Sequence, residues 1–133
     1  MSIQPSGHTT RLPSPVLWLV RLGAVACLVA LPLLSLLPAD QIERTGADKN
    51  IEHFIAYFGT GLLLTLSIAD PRRRLYGAIA LVALAGTLEV AQSFTLTRSS
   101  ELAQFLGGAA GAGAGLLVGT VGRALLLWIV GRL

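Results

Sequence analysis

The sequence predicts an all-α, polytopic membrane protein: a bundle of four transmembrane helices with both termini in the cytoplasm. Three observations carry that expectation. Hydrophobic residues make up 53% of the 133 and charged residues only 13%, where a soluble domain carries about a quarter charged; mean hydropathy is +0.71. Apolar runs of spanning length recur along the chain, divided by short polar segments. Lys and Arg gather in alternate segments, as topology signals do. One domain suits this length, with residues 1–15 as a polar tail and 16–133 as the membrane domain.

A hydrocarbon core of ~30 Å needs about 20 apolar residues per helix. The first span is read at 16–37. It exceeds the ~7–15-residue apolar region of a signal peptide, and its ending, LLPADQ, is a poor cleavage site, so it reads as retained. The second span is read at 51–68, the third at 75–94 and the fourth at 102–121. The tail ALLLWIVGRL either prolongs the fourth helix or lies at the interface. The connections are PADQIERTGADKN, ADPRRR and TLTRSS, and Pro71 cannot continue a helix interior. Irregular backbone facing lipid is not tolerated at membrane depth, which leaves a helical bundle.

Charge sets the orientation. The N-terminal tail, the second connection and the C-terminal end hold Arg11, Arg72, Arg73, Arg74, Arg123 and Arg132. Arg21 can snorkel to the same side. The opposite side holds Arg44, Lys49 and Arg98. The Lys/Arg excess places both termini inside. Among the acids only Asp70 falls on the inner side; Asp40, Glu43, Asp48, Glu52, Glu89 and Glu101 fall at or near the outer face.

The net charge of +3 and pI near 9.8 do not point to nucleic acid, because no basic face with interleaved aromatics exists. The single cysteine, Cys27, lies in an apolar run and excludes an intrachain disulfide. One Cys and two distant His supply no metal ligand set, and no cofactor motif is present. Gly107, Gly111, Gly115 and Gly119 form a glycine zipper on one helical face. Such a stripe lets backbones approach closely. It serves as a seam within the bundle or as a homodimer interface, or else its small residues are merely tolerated.

Polar groups crowd at the outer ends of the later spans. Lys49, His53 and Tyr57 follow i, i+4, i+8 on one stripe of span two. Glu89 and Gln92 share a face at the end of span three, Arg98 lies in the connection, and Glu101 and Gln104 open span four. A carboxylate within a span costs roughly 2.5–3.5 kcal/mol and should face the interior with a partner. Arg98 can offer Glu89 a two-pronged fork, and His53 can share a proton with it. The expected cluster is therefore His53, Glu89 and Arg98, ringed by Tyr57, Gln92 and Gln104. Blander readings exist for the flanking groups. Glu101 is then a helix-end charge beside a capping Ser99 or Ser100, Lys49 and Glu52 are solvated, and Tyr57 is an ordinary buried aromatic.

HFIAYFGTGLLLTL, followed by LEVAQSFTLTRSSELAQFLGGAAGAGAG, resembles the VanZ-like family of small bacterial membrane proteins. The family shows His-Phe-x-x-Tyr opening one span, Glu-x-x-Gln ending the next, then an Arg and a polar start to the last helix. The likeness covers about residues 48–120 and falls on His53, Phe54, Tyr57, Glu89, Gln92 and Arg98. The chain departs from the family where Gln104 replaces an Asp, where Gly108 replaces an Asn, and where Asn50 stands in place of a Lys, with Lys49 one residue earlier. A mechanism needing a second carboxylate at residue 104 has none there. The resemblance implies a multi-pass protein of the bacterial inner membrane and cell envelope. It also carries the founding member's association with low-level resistance to the glycopeptide teicoplanin.

Three functions compete. The reading placed first is a non-catalytic envelope factor whose outer polar pocket binds a lipid-linked cell-wall or polysaccharide intermediate, or a partner, in a setting of membrane lipids. The second is an intramembrane enzyme with Glu89 or His53 as general base and Arg98 as oxyanion clamp. The third is a small proton-coupled transporter with Glu89 as carrier. No nucleophile or metal site is evident for an enzyme, and a transporter wants polar groups along a span rather than at one end.

Overall fold

The computed structural model describes residues 12–38, 46, 48–95 and 101–132. They form four helices: α1 Ser14–Leu36, α2 Lys49–Ser67, α3 Pro71–Ser93 and α4 Leu102–Val130. Three of these, α1, α3 and α4, are long and apolar enough to cross a membrane. The 19-residue α2 opens on Lys49, Asn50, Glu52 and His53 and falls outside that group.

Local chemistry sets the helix ends. Leu37 adopts an extended conformation before Pro38, which closes α1. Pro32 removes one backbone bond inside α1, a loss that membrane helices tolerate. The Asp48 side chain caps α2 by accepting from the Asn50 amide at 2.7 Å. Asp70 does the same for α3 through the Arg72 amide at 2.9 Å, and Pro71 occupies the first helical position, where its missing N–H costs nothing. The helix thus begins ahead of the span expected at 75–94. Pro71 opens the helix instead of preceding it, so Arg72, Arg73 and Arg74 belong to the first turn of α3. The fourth helix likewise runs to Val130, past the expected end at 121, so the apolar tail prolongs it.

The four helices alternate in direction. α1 runs against α2, with Gly23 beside Leu63, while Leu31 and Tyr57 share the core. α2 runs against α3, since Gly77 meets Leu64 and Glu89 meets His53. α3 runs against α4, with Gly86 beside Phe105 and Arg74 bonded to Thr120. α2 and α4 are consequently parallel, and they form the most extensive pairing in the bundle. α1 touches α2 and α3 and, among the described residues, does not touch α4.

The glycine zipper builds the α2–α4 seam. A Cβ added at Gly107 would stand 2.8 Å from the Asn50 carbonyl oxygen, and one at Gly115 would stand 2.6 Å from that of Phe58. One at Gly111 would collide with the Phe54 carbonyl, and one at Gly119 would meet the Thr65 side chain at 2.8 Å. Of the two seams the stripe could make, the internal one occupies it: α2 lies on the face that a homodimer would use.

The core is small. Leu31, Tyr57, Leu81, Ala85 and Ala112 form it, and Ala112 is wholly enclosed. Outward-facing Leu, Val, Ile and Trp side chains are widely exposed on α1, α3 and α4. A soluble monomer rarely shows contiguous apolar surface on that scale. An apolar exterior around a core that includes Thr60, Glu89, Gln92 and Arg123 suits hydrocarbon as the surrounding solvent.

Candidate functional site

At one end of the bundle, the N-terminal turns of α2 and α4 meet the C-terminal turns of α1 and α3. His53 projects from the second turn of α2. Its Nδ1 lies 3.0 Å from the Lys49 carbonyl oxygen. A carbonyl only accepts, so Nδ1 carries the hydrogen in that bond. Nε2 then faces Glu89 Oε1 at 3.8 Å, beyond hydrogen-bond reach and within ion-pair reach. With Nδ1 protonated, a neutral imidazole turns a lone pair toward the carboxylate. A second proton, on either group, makes the contact attractive.

Glu89 is buried, and its second oxygen is occupied. Oε2 accepts from the backbone N–H of Glu101 at 3.1 Å. That amide is among those at the start of α4 that lack an intrahelical partner, and the positive end of the helix favours a carboxylate there. Glu89 thus satisfies a helix terminus on a neighbouring element. Glu101 is itself the N-cap residue of α4, with no side-chain cap bond. Ser99 and Ser100, the expected caps, lie outside the described residues, as does Arg98, the third member of the expected cluster.

The remaining expected residues divide by role. Tyr57 stacks on His53, with ring centroids 6.4 Å apart, and is almost fully enclosed against Gly108 and Ala85. The absence of a side chain at Gly108 makes room for the ring: a Cβ there would stand 3.2 Å from it. Gln92 turns elsewhere. Its Nε2 donates to the Ser35 carbonyl of α1 at 2.8 Å, using an acceptor freed where α1 ends. It ties α3 to α1 and is a brace rather than a lining group. Gln104 is buried in the first turn of α4, four residues before Gly108 and on the same face. Among the described residues no group of three or more His, Cys, Asp or Glu could hold a metal ion.

Two buried arginines at the opposite end escaped the sequence reading. Arg74 donates to Thr120 Oγ1 and to the Ala69 carbonyl, both at 3.4 Å. Arg123 donates to the Leu66 carbonyl at 2.9 Å. Arg123 caps the C-terminal turn of α2, where carbonyls lack partners and the helix dipole is negative, and Arg74 reaches the connection just beyond it. Arg123 stands isolated in the apolar run TVGRALLLW, a signal that a count of topology charges overlooks.

Compared with known protein families, with curated proteins and with solved structures, the chain finds no match in any of the three.

Proposed function

We propose that this chain is a VanZ-like, multi-pass protein of the bacterial inner membrane. All four helices span, both termini face the cytoplasm, and the His53–Glu89 end opens toward the outside. That end binds a lipid-linked cell-wall or polysaccharide intermediate through its headgroup. One observation carries the reading: a buried carboxylate, Glu89, is held between a histidine of α2 and the N-terminal amide of α4. Ionisable groups enclosed in a membrane bundle are costly and are functional candidates for that reason. The alternation of α2 between α1 and α3 supports its role as the fourth span. Its 19 residues reach about 28 Å at ~1.5 Å per residue, and its polar groups sit at one end.

The test is to purify the protein with native lipids and identify bound species by mass. Wild type is compared with Glu89→Gln and Arg98→Ala. The expected result is loss of a specific headgroup-bearing species in the Glu89→Gln protein. Identical lipid sets in all three would remove the headgroup pocket, and crosslinking would then address a protein partner. The same variants, expressed under teicoplanin challenge, test the link to glycopeptide resistance.

A second reading, acid/base chemistry on the same ligand, draws on the bonded Nδ1 of His53, which presents Nε2 toward Glu89. It predicts a covalently altered ligand after incubation with wild type and an unaltered one with His53→Gln. A transporter draws little support, because Leu31, Leu81, Ala85 and Ala112 close the middle of the bundle.

A further inference from the structure

We infer that the arginine end of the bundle is a binding site for an anionic phospholipid of the cytoplasmic leaflet, held by Arg74 and Arg132 against a groove on α4. The inference rests on the four-span orientation proposed above, which puts this end inside. It concerns the opposite end from Glu89.

The first observation is Arg74. Its side chain is nine-tenths buried, and its Nε has no hydrogen-bond partner. Its two bonds, to Thr120 Oγ1 and the Ala69 carbonyl, are both long, at 3.4 Å. A guanidinium has five N–H donors, so most of this one's capacity is unused. Among the described residues Arg74 makes no ion pair; the nearest acid in sequence, Asp70, faces Arg73 at 3.7 Å and caps the helix. Arg123, one turn of α4 beyond Thr120, adds a second positive charge at the same level. Arg72 and Arg73 stand exposed beside them. A basic cluster between membrane helices on the inner side is the arrangement that recognises anionic lipid headgroups.

The second observation is independent. An open, almost wholly apolar groove runs along α4, lined by Thr120, Val121, Ala124, Leu125 and Trp128. Thr120 at one end is the residue that Arg74 reaches. At the other end the Arg132 guanidinium lies over the Trp128 ring, 3.7 Å from its centroid. Guanidinium groups therefore bracket a greasy wall about 12 Å long, eight residues at ~1.5 Å each. Counted from Leu102, about 20 residues use up a ~30 Å hydrocarbon core by Gly122. The phosphate layer of the inner leaflet then crosses the groove. A phosphate at the level of Thr120 meets the Arg74 fork, its acyl chains run back along the membrane-embedded part of α4, and its headgroup lies over the apolar wall toward Arg132, whose charge attracts it from the cytosolic side. A zwitterionic lipid fits the wall equally well, but its own cation opposes the arginines.

Trp128 reports on the site directly. With Trp18→Phe it is the only tryptophan, since the chain has two. This protein is reconstituted in phosphatidylcholine vesicles containing a small fraction of either phosphatidylglycerol or phosphatidylcholine brominated near the top of the acyl chains. The expected result is stronger Trp128 quenching by the anionic lipid, a preference of about fivefold for each arginine engaged. Arg74→Gln should abolish most of that preference. Arg74→Lys, which keeps the charge and loses the fork, should keep part of it. Arg132→Gln, at an exposed position, should lower it and keeps the test open if the Arg74 variants do not fold. Equal quenching by the two lipids in the parent protein would overturn the inference, as would an unchanged preference in the folded variants. A shift of Trp128 emission by inorganic phosphate in vesicles of pure phosphatidylcholine, together with no preference for the brominated phosphatidylglycerol, would also overturn it, showing a phosphate site and not a lipid site. The Glu89 pocket is read separately, by lipids co-purifying with Glu89→Gln, so either end can fail alone.

Discussion

Glu89 uses its two oxygens differently: one accepts the Glu101 amide and the other faces His53. The two functions separate by substitution. Gln at this position keeps an acceptor for the amide and loses the charge, whereas Leu leaves a helix-terminal N–H without its partner. Glu89→Leu should therefore cost about 1–3 kcal/mol, and Glu89→Gln less than ~1 kcal/mol, in reversible unfolding followed in detergent. Equal losses would mean that charge, not amide capture, holds this end together. The pairing of His53 with Glu89 was legible from spacing, because both fall at the same end of adjacent, oppositely directed helices. The amide of Glu101 as partner was not legible. A backbone donor has no signature in side-chain order, and only the meeting of α3 with the start of α4 reveals it. Gln92 shares a helix face with Glu89, yet its amide reaches the Ser35 carbonyl. Spacing along α3 could not say which neighbour that side chain would meet.

The glycines of α4 sort into two kinds. Gly107, Gly111, Gly115 and Gly119 lie against α2, whereas a Cβ at Gly113 meets nothing within 4 Å. Gly115→Ala must push α4 off the backbone of Phe58 and Leu62, and backbone cannot yield as a side-chain tip can. The expected cost is about 1–3 kcal/mol. Gly113→Ala removes a weak helix former from an open position and should stabilise by up to ~1 kcal/mol. Thermal midpoints of the two purified variants should move in opposite directions; a shared direction would mean that helix propensity or lipid, and not the α2 seam, governs this stripe. The four-residue repeat announced close packing by itself. Which helix would fill it depended on the parallel approach of α2, a helix separated from α4 by the whole of α3. The start of α3 has a local cause. The connection ADPRRR holds Asp70-Pro71, and Pro at the first helical position starts a helix, so the arginines after it take helical geometry.

At the scale of the whole molecule, the proposed topology predicts that the two ends of α2 face opposite compartments. In a Cys27→Ser background, Asp48→Cys should react with a membrane-impermeant thiol reagent added to spheroplasts. Ala69→Cys should react only after permeabilisation. Reaction of both from one side would show that α2 does not cross and would reverse the assignment of the two ends. Composition, run lengths and the Lys/Arg bias determined by themselves that the chain is helical and built for an apolar solvent. Those properties follow from the cost of exposing backbone polar groups and charges to hydrocarbon, which acts residue by residue along the chain. The tertiary structure alone decided that α2 fills the glycine face, that Gln92 braces α1, and that Arg123 caps the last turn of α2 while Arg74 reaches the connection just beyond it. Each of these joins residues far apart in sequence, and the choice among competing partners is made by packing, which no local pattern encodes.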